Sequence, residues 1–216
     1  YPNKSILRRI EAFMRDYYTH ARHVHNHTKS VFEIFELQHS EEKEAGLRSK
    51  LTFGLLKKKP KNLDDYTIRN GRLFPRRKEI FTENPNRLIR LFSYCQQYQV
   101  RPSPSLRKLI KEHWDLIDHS FRLRQENREA FREILERKGQ VASCLRLMHR
   151  SGVLGRYLPE FGALDCLVQH EFFHRYTADE HTLRCIDQLD ALVDDEAPKK
   201  ALYRDLFLRH PDPYAL

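Results

Sequence analysis

The sequence predicts an all-α protein, a bundle of about six to eight helices carrying one small β-hairpin near residues 66–74. Three observations lead there. Apolar residues recur at steps of three and four over long stretches, the spacing of a helix face rather than of a strand. Only 7 glycines occur in 216 residues, too few for a turn-rich all-β fold. An Asn-Gly dipeptide, Asn70-Gly71, stands between two short β-prone runs.

The first helix carries apolar positions at Ile6, Ile10, Phe13, Tyr17, Val24, Val31 and Phe35, with Ser5 as its N-cap. It is expected to run to about Glu36, roughly 45 Å at 1.5 Å per residue, with its stripe covered by neighbouring helices. Residues 39–64 are polar and charged and read as a loop. Tyr66 to Phe74 then reads as a hairpin, because Asn-Gly supplies two residues that accept the positive φ of a tight turn.

Asn84-Pro85 marks the next helix, Asn as cap and Pro at the first helical position, with Leu88, Leu91, Phe92 and Cys95 on its apolar face. Ser103-Pro104 repeats the device before Leu106, Leu109, Ile110, His113 and Trp114. A helix from about Glu126 to Arg137 turns Phe131, Ile134 and Leu135 inward and stops at Gly139. Another runs from Val141 to His149 and ends at Ser151-Gly152. Asp179 is the expected N-cap of a last long helix through Leu183, Ile186, Leu189 and Leu192.

Composition narrows the function classes. Hydrophobic residues make up 40% and charged residues 32%, which suits a helical core with long solvated faces. The net charge of +9 favours acidic partners, whether nucleic acid, nucleotide or acidic protein; it equally suits a piece whose acidic counterpart lies elsewhere. The four cysteines are widely spaced without Cys-x-x-Cys, so zinc-ribbon and redox motifs are absent and reduced cytosolic thiols are expected. No apolar run approaches 18 residues, and no membrane span or membrane partner is expected. The start lacks Met and any signal-peptide pattern, as in an excised region of a larger protein.

Several constellations could carry chemistry. His23 and His27, four apart on the first helix, could share a metal, but no acidic or Cys ligand joins them on that face. The basic runs Lys57–Lys61 and Arg76–Lys78 could meet phosphates; without aromatic interleaving they read better as solvated loop charge, and nucleic acid is not the expected partner. Residues 145–162 hold glycines that punctuate helices but no Gly-Lys-Ser/Thr and no preceding strand, so packing explains them better than phosphate binding. The segment from His170 to His181 contains three histidines just before a helix, and a His cluster alone only suggests a metal.

At those residues the chain resembles a known family. Residues 148–184, MHRSGVLGRYLPEFGALDCLVQHEFFHRYTADEHTLR, look like the linker and opening of the HD domain of bacterial protein-PII uridylyltransferase/uridylyl-removing enzymes. YTIRNGRLF (66–74), NPNRLIRLFSYCQQY (84–98), LRKLIKEHWDLID (106–118) and FREIL (131–135) fall in the order of that family's central helical region, and residues 17–35 are similar to its first long helix. The resemblance implies residues 1–160 as the central helical region and 161–216 as the linker and a truncated HD domain. It implies a cytoplasmic parent enzyme that moves UMP from UTP to a PII-type nitrogen-signalling protein and hydrolyses it off again, using Mg or Mn. His181 matches the first HD-type metal ligand; His170 and His174 match positions expected only to shape the site. No residue is assigned a catalytic role. The transferase's Gly-Ser and Asp-x-Asp block, the His-Asp pair after the first ligand and the ACT domains have no counterpart here. One imidazole cannot hold a hydrolytic metal, so this chain by itself is expected to be inactive, with no tightly bound cofactor. The helical region of glutamine synthetase adenylyltransferase is the nearest alternative, and a basic helical nucleic-acid-binding module the one from another class.

Overall fold

The computed structural model describes residues 6–48, 63–168 and 176–214. It is predominantly α, with eleven α-helices among the described residues, seven of them nine residues or longer. The predicted basic run Lys57–Lys61 and the histidines His170 and His174 lie outside the described residues.

The hairpin forms as its turn chemistry dictates. Strands β1 (Tyr66–Arg69) and β2 (Arg72–Pro75) pair antiparallel, with Arg69 opposite Arg72. Asn70 and Gly71 between them have φ of 45° and 68°, the left-handed pair a two-residue turn requires. A third strand, β3 (Arg101–Pro102), adds to β2 in parallel. The sequence gives no sign of it, because a two-residue strand ending in Pro has neither length nor alternation.

Between the strands lie α2 (Ile80–Glu83) and α3 (Arg87–Gln97), the centre of the molecule. Leu88, Ile89, Leu91 and Phe92 of α3 are fully buried. Each such side chain contributes about 1.5–3 kcal/mol by leaving water. The start of α3 is displaced from the expected Asn84-Pro85. Asn86 is its N-cap, while the Asn84 side chain accepts from the Asn86 N–H at 3.1 Å, a local turn that delays the helix by two residues. Helix α4 (Pro104–Glu112) begins as predicted: Ser103 Oγ accepts from Leu106 N at 3.1 Å, and Pro104 sits in the first turn.

Short α5 (His119–Leu123) leads into α6 (Gln125–Leu135), which lies along α3. Two α3 side chains tie the pair: Ser93 Oγ donates to Ala130 O at 3.3 Å and Gln96 Nε2 to Ile134 O at 3.1 Å. Helix α7 (Val141–Arg150) packs on the other flank of α3, then α8 (Leu154–Tyr157) and α9 (Pro159–Ala163) turn back. There two of the three glycines of the 145–162 stretch, Gly155 and Gly162, touch. A Cβ on Gly162 would lie 2.5 Å from the Gly155 carbonyl oxygen, so only a bare backbone fits. Helix α10 (Ala178–Ala191) packs against α7, and α11 (Ala201–Arg209) follows.

The first helix differs most from expectation. Helix α1 spans Ile6–Arg48, well past Glu36, so residues 39–48 are helix and not loop. Glu, Lys, Ala and Leu are good helix formers, and polarity alone does not end a helix. Its apolar stripe faces water: Phe13 is 60% and Phe35 65% exposed, and Ile6, Tyr17, Val24 and Val31 are exposed too. The face seated on the body runs instead through Arg22, Asn26, Lys29 and Glu33, spaced four, three and four apart. Glu33 is buried against Arg107 of α4 and, at 3.7 Å, Arg72 of β2. Among the described residues no helix is long and apolar enough to cross a membrane.

Candidate functional site

The densest ionic constellation joins four parts of the chain. Arg22 comes from the seated face of α1, His149 from the last turn of α7, Asp165 from the turn after α9, and Asp179 from the first turn of α10. The three non-arginine donor atoms lie within 4.8 Å of one another, the only such group of three among the described residues. Arg22 fills the space a cation would take. Its Nη1 pairs with Asp165 Oδ1 and lies 3.2 Å from His149 Nε2, while Nη2 donates to Asp179 Oδ2 at 2.7 Å. His149 Nε2 stands 3.0 Å from the same carboxylate oxygen, and the Phe161 ring meets the imidazole edge-on at 5.3 Å.

Local structure explains the placement. Arg15 and Arg22 are seven apart, two helical turns on one face, and Arg15 donates to Ala163 O at 3.0 Å just before the cluster. Thr177, not the expected Asp179, is the N-cap of α10; the Asp179 side chain turns inward to two positive or polar partners rather than back to its own helix. Its side chain is only 1% exposed. Burial would raise this carboxyl, but hydrogen bonds from His149 and Thr177 and the Arg22 charge overcome that and hold it well below the usual carboxylate range. Arg22 is desolvated in turn, yet Asp179 and Asp165 keep its guanidinium above its ordinary value.

The same face of α10 continues the pattern. Arg146 of α7 meets Glu180 at 2.8 Å and also Asp187, one heptad on. Asp190 Oδ2 accepts from Ala142 N at 2.7 Å, closing the amino end of α7 from another helix. In this arrangement each of these carboxylates faces a cation or a backbone N–H. Burial pushes the Cys144 thiol up to about 12 and Cys95 upward as well, so neither is a nucleophile near neutral pH.

The residues singled out from sequence fall elsewhere. His181 is exposed on α10, two residues from Asp179 and so on the opposite side of the helix, with Cys185 Sγ 3.8 Å from its Nδ1. Among the described residues it joins no group of three metal donors, and the fit of a hydrolytic metal is incomplete. His23 and His27 are exposed on α1. In the Arg76–Lys78 run, Arg77 is engaged by Asp65 at 2.7 Å and Glu83 at 2.9 Å. Sequence reasoning missed Arg22, His149 and Asp165 and read Asp179 only as a cap. The available signal was the seven-residue spacing of Arg15, Arg22 and Lys29 along a face that otherwise reads as solvent-facing.

Residues 66–157 match the family model described as Uridylyltransferase GlnD third domain. The chain is 30% identical over 195 residues to a bifunctional uridylyltransferase/uridylyl-removing enzyme of Cereibacter sphaeroides, covering 88% of this chain and 20% of that protein. It is 29% identical over 196 residues to one of the same description from Novosphingobium aromaticivorans, covering 91% of this chain and 20% of the relative. The chain thus spans about a fifth of the length of the curated relatives it matches. No solved structure matches it.

Proposed function

Since this chain is a relative of bifunctional uridylyltransferase/uridylyl-removing enzymes and matches the GlnD third-domain model over residues 66–157, we propose that it is the helical seat between a nucleotidyltransferase domain and an HD-type phosphohydrolase domain. In this reading residues 1–160 are the central helical region, and 161–216 are the linker and the opening of the HD domain. The observation that supports it is the Arg22 cluster. One guanidinium on the first helix grips Asp165 and Asp179, both beyond that boundary, while His149 stands before it. Such a joint fixes the angle between two bodies without taking part in their chemistry.

The longer polypeptide would move UMP from UTP to a PII-type signalling protein and remove it hydrolytically, with Mg or Mn, in the cytoplasm. His181 is one metal ligand of the removing site, the other donors coming from outside the described residues, and His170 and His174 shape that site. A hydrolytic metal needs several ligands and an open position for water, which one imidazole does not supply.

Two measurements test the reading. This chain mixed with uridylylated PII-type protein and Mn²⁺ should release no UMP; release would overturn the division of labour. In the full-length enzyme, His181→Ala should abolish UMP release and leave UMP transfer intact. Undiminished release, or loss of both activities together, counts against the ligand role.

A further inference from the structure

A cavity of about 690 Å³ lies between the seated face of α1 and helices α3, α4 and α7. Its lining has seven Lys or Arg side chains and one carboxylate, Glu33, which is already paired with Arg107 and Arg72. Arg107, Arg146 and Lys108 have acidic partners. Lys29 of α1, Arg101 of β3, Lys111 of α4 and Arg150 of α7 have none among the described residues, though each comes from a different element. Four cations without a fixed counter-charge around one concavity give it a positive potential that attracts an anion.

The cavity is not uniformly polar. Val100, Cys144 and Leu147 contribute an apolar floor, and the imidazoles of His23 and His27 look in from α1. An apolar floor under a cationic rim suits an anion with a flat uncharged part. The volume falls in the range of small-molecule sites. The free cations gather around one concavity, whereas an extended acidic peptide or a nucleic-acid duplex would be met by charge laid along a track.

We propose that this cavity binds a phosphorylated small molecule of nucleoside-triphosphate size, its phosphates on Lys29, Arg101, Lys111 and Arg150 and its ring over the apolar floor. The cavity's chemistry sets the ligand class, and only the choice of uridine nucleotides as probes rests on the proposed function. The proposal concerns binding by this chain alone, so its outcome is separate from any uridylyl activity.

The test is calorimetric titration of the whole chain with uridine, UMP, UTP and tripolyphosphate at low ionic strength. Affinity should rise from UMP to UTP, uridine should not bind measurably, and tripolyphosphate should compete. Lys111 and Arg150 have exposed side chains, so the paired change Lys111→Glu/Arg150→Glu should leave the circular-dichroism melt unchanged. It should weaken UTP binding by about tenfold or more, as reversing two nearby charges requires. The paired change Arg76→Glu/Lys78→Glu alters net charge equally on the hairpin side and should leave UTP affinity within about twofold. Absence of UTP binding overturns the proposal. So does equal loss in both paired variants, which would mean diffuse charge attraction, and so does tighter competition by polyglutamate than by tripolyphosphate, which would mean an acidic peptide site.

Discussion

Helices α3 and α1 are both amphipathic by sequence, yet they sit in the molecule in opposite ways. Helix α3 buries Leu88, Leu91 and Phe92 among α6 and α7. Helix α1 turns Phe13, Val24 and Phe35 to water and docks by Arg22 and Glu33. The two anchors stand eleven residues apart, about 16 Å along the axis. At Arg22 the middle of α1 is held by α7, α10 and the turn after α9, and at Glu33 by α4 and the hairpin. The difference teaches that periodicity identifies a face but not the body that face meets. It also separates two kinds of attachment. Area removed from water holds α3 and responds little to pH, whereas paired charge holds α1 and depends on the protonation of its partners.

That contrast can be broken or sharpened by measurement. Phe92→Ala should have the largest effect, about 3–5 kcal/mol from the urea midpoint, because the ring is fully buried and a cavity remains. A cost under about 1 kcal/mol would mean that α3 is not the packing centre. Asp179→Ala should cost about 2–3 kcal/mol, somewhat less than for a wholly buried pair, because Arg22 still reaches water. Hydrogen exchange should place this loss at α1 and the start of α10 and spare α3. The double mutant with Arg22→Ala should fall short of additivity, and strict additivity would show that the two side chains act separately.

The pH profile follows from the lowered Asp179 carboxyl. Its folded value lies below the unfolded carboxylate value of about 3.9, so its contribution is fully present above that pH and fades as pH falls further. Wild type and Asp179→Asn should therefore converge as pH falls below about pH 4. A gap that widens as pH falls below about 4 would contradict the lowered carboxyl. The smallest effect is expected at Arg132→Ala on α6. Its i,i+4 pair with Glu136 is exposed on both sides, and the change should stay within about 0.5 kcal/mol.

Features governed by a few neighbouring residues were legible in the sequence. Asn70-Gly71 fixed the turn, Ser103-Pro104 fixed the start of α4, and the spacing of Leu88, Leu91, Phe92 and Cys95 fixed the inner face of α3. Where a side chain had two options, the reading failed. Asp179 could cap its own helix, and instead meets an arginine 157 residues away. Asp165 and Arg22 are separated by 143 residues. No local pattern reports such a pairing. The short β3 and the extension of α1 to Arg48 escaped for a related reason, since neither is set by apolar alternation. His181 stands apart from these. Its surroundings among the described residues do not complete a metal cage, and its role is a proposal carried by resemblance.

The outward stripe of α1 has a practical corollary for anyone handling the molecule. Greasy and charged surfaces occupy opposite sides of one rod, so each can be rewritten without disturbing the other. Glutamines at Phe13, Val24 and Phe35 would strip the stickiness from a recombinant sample, and the Arg22 and Glu33 fastenings would not notice.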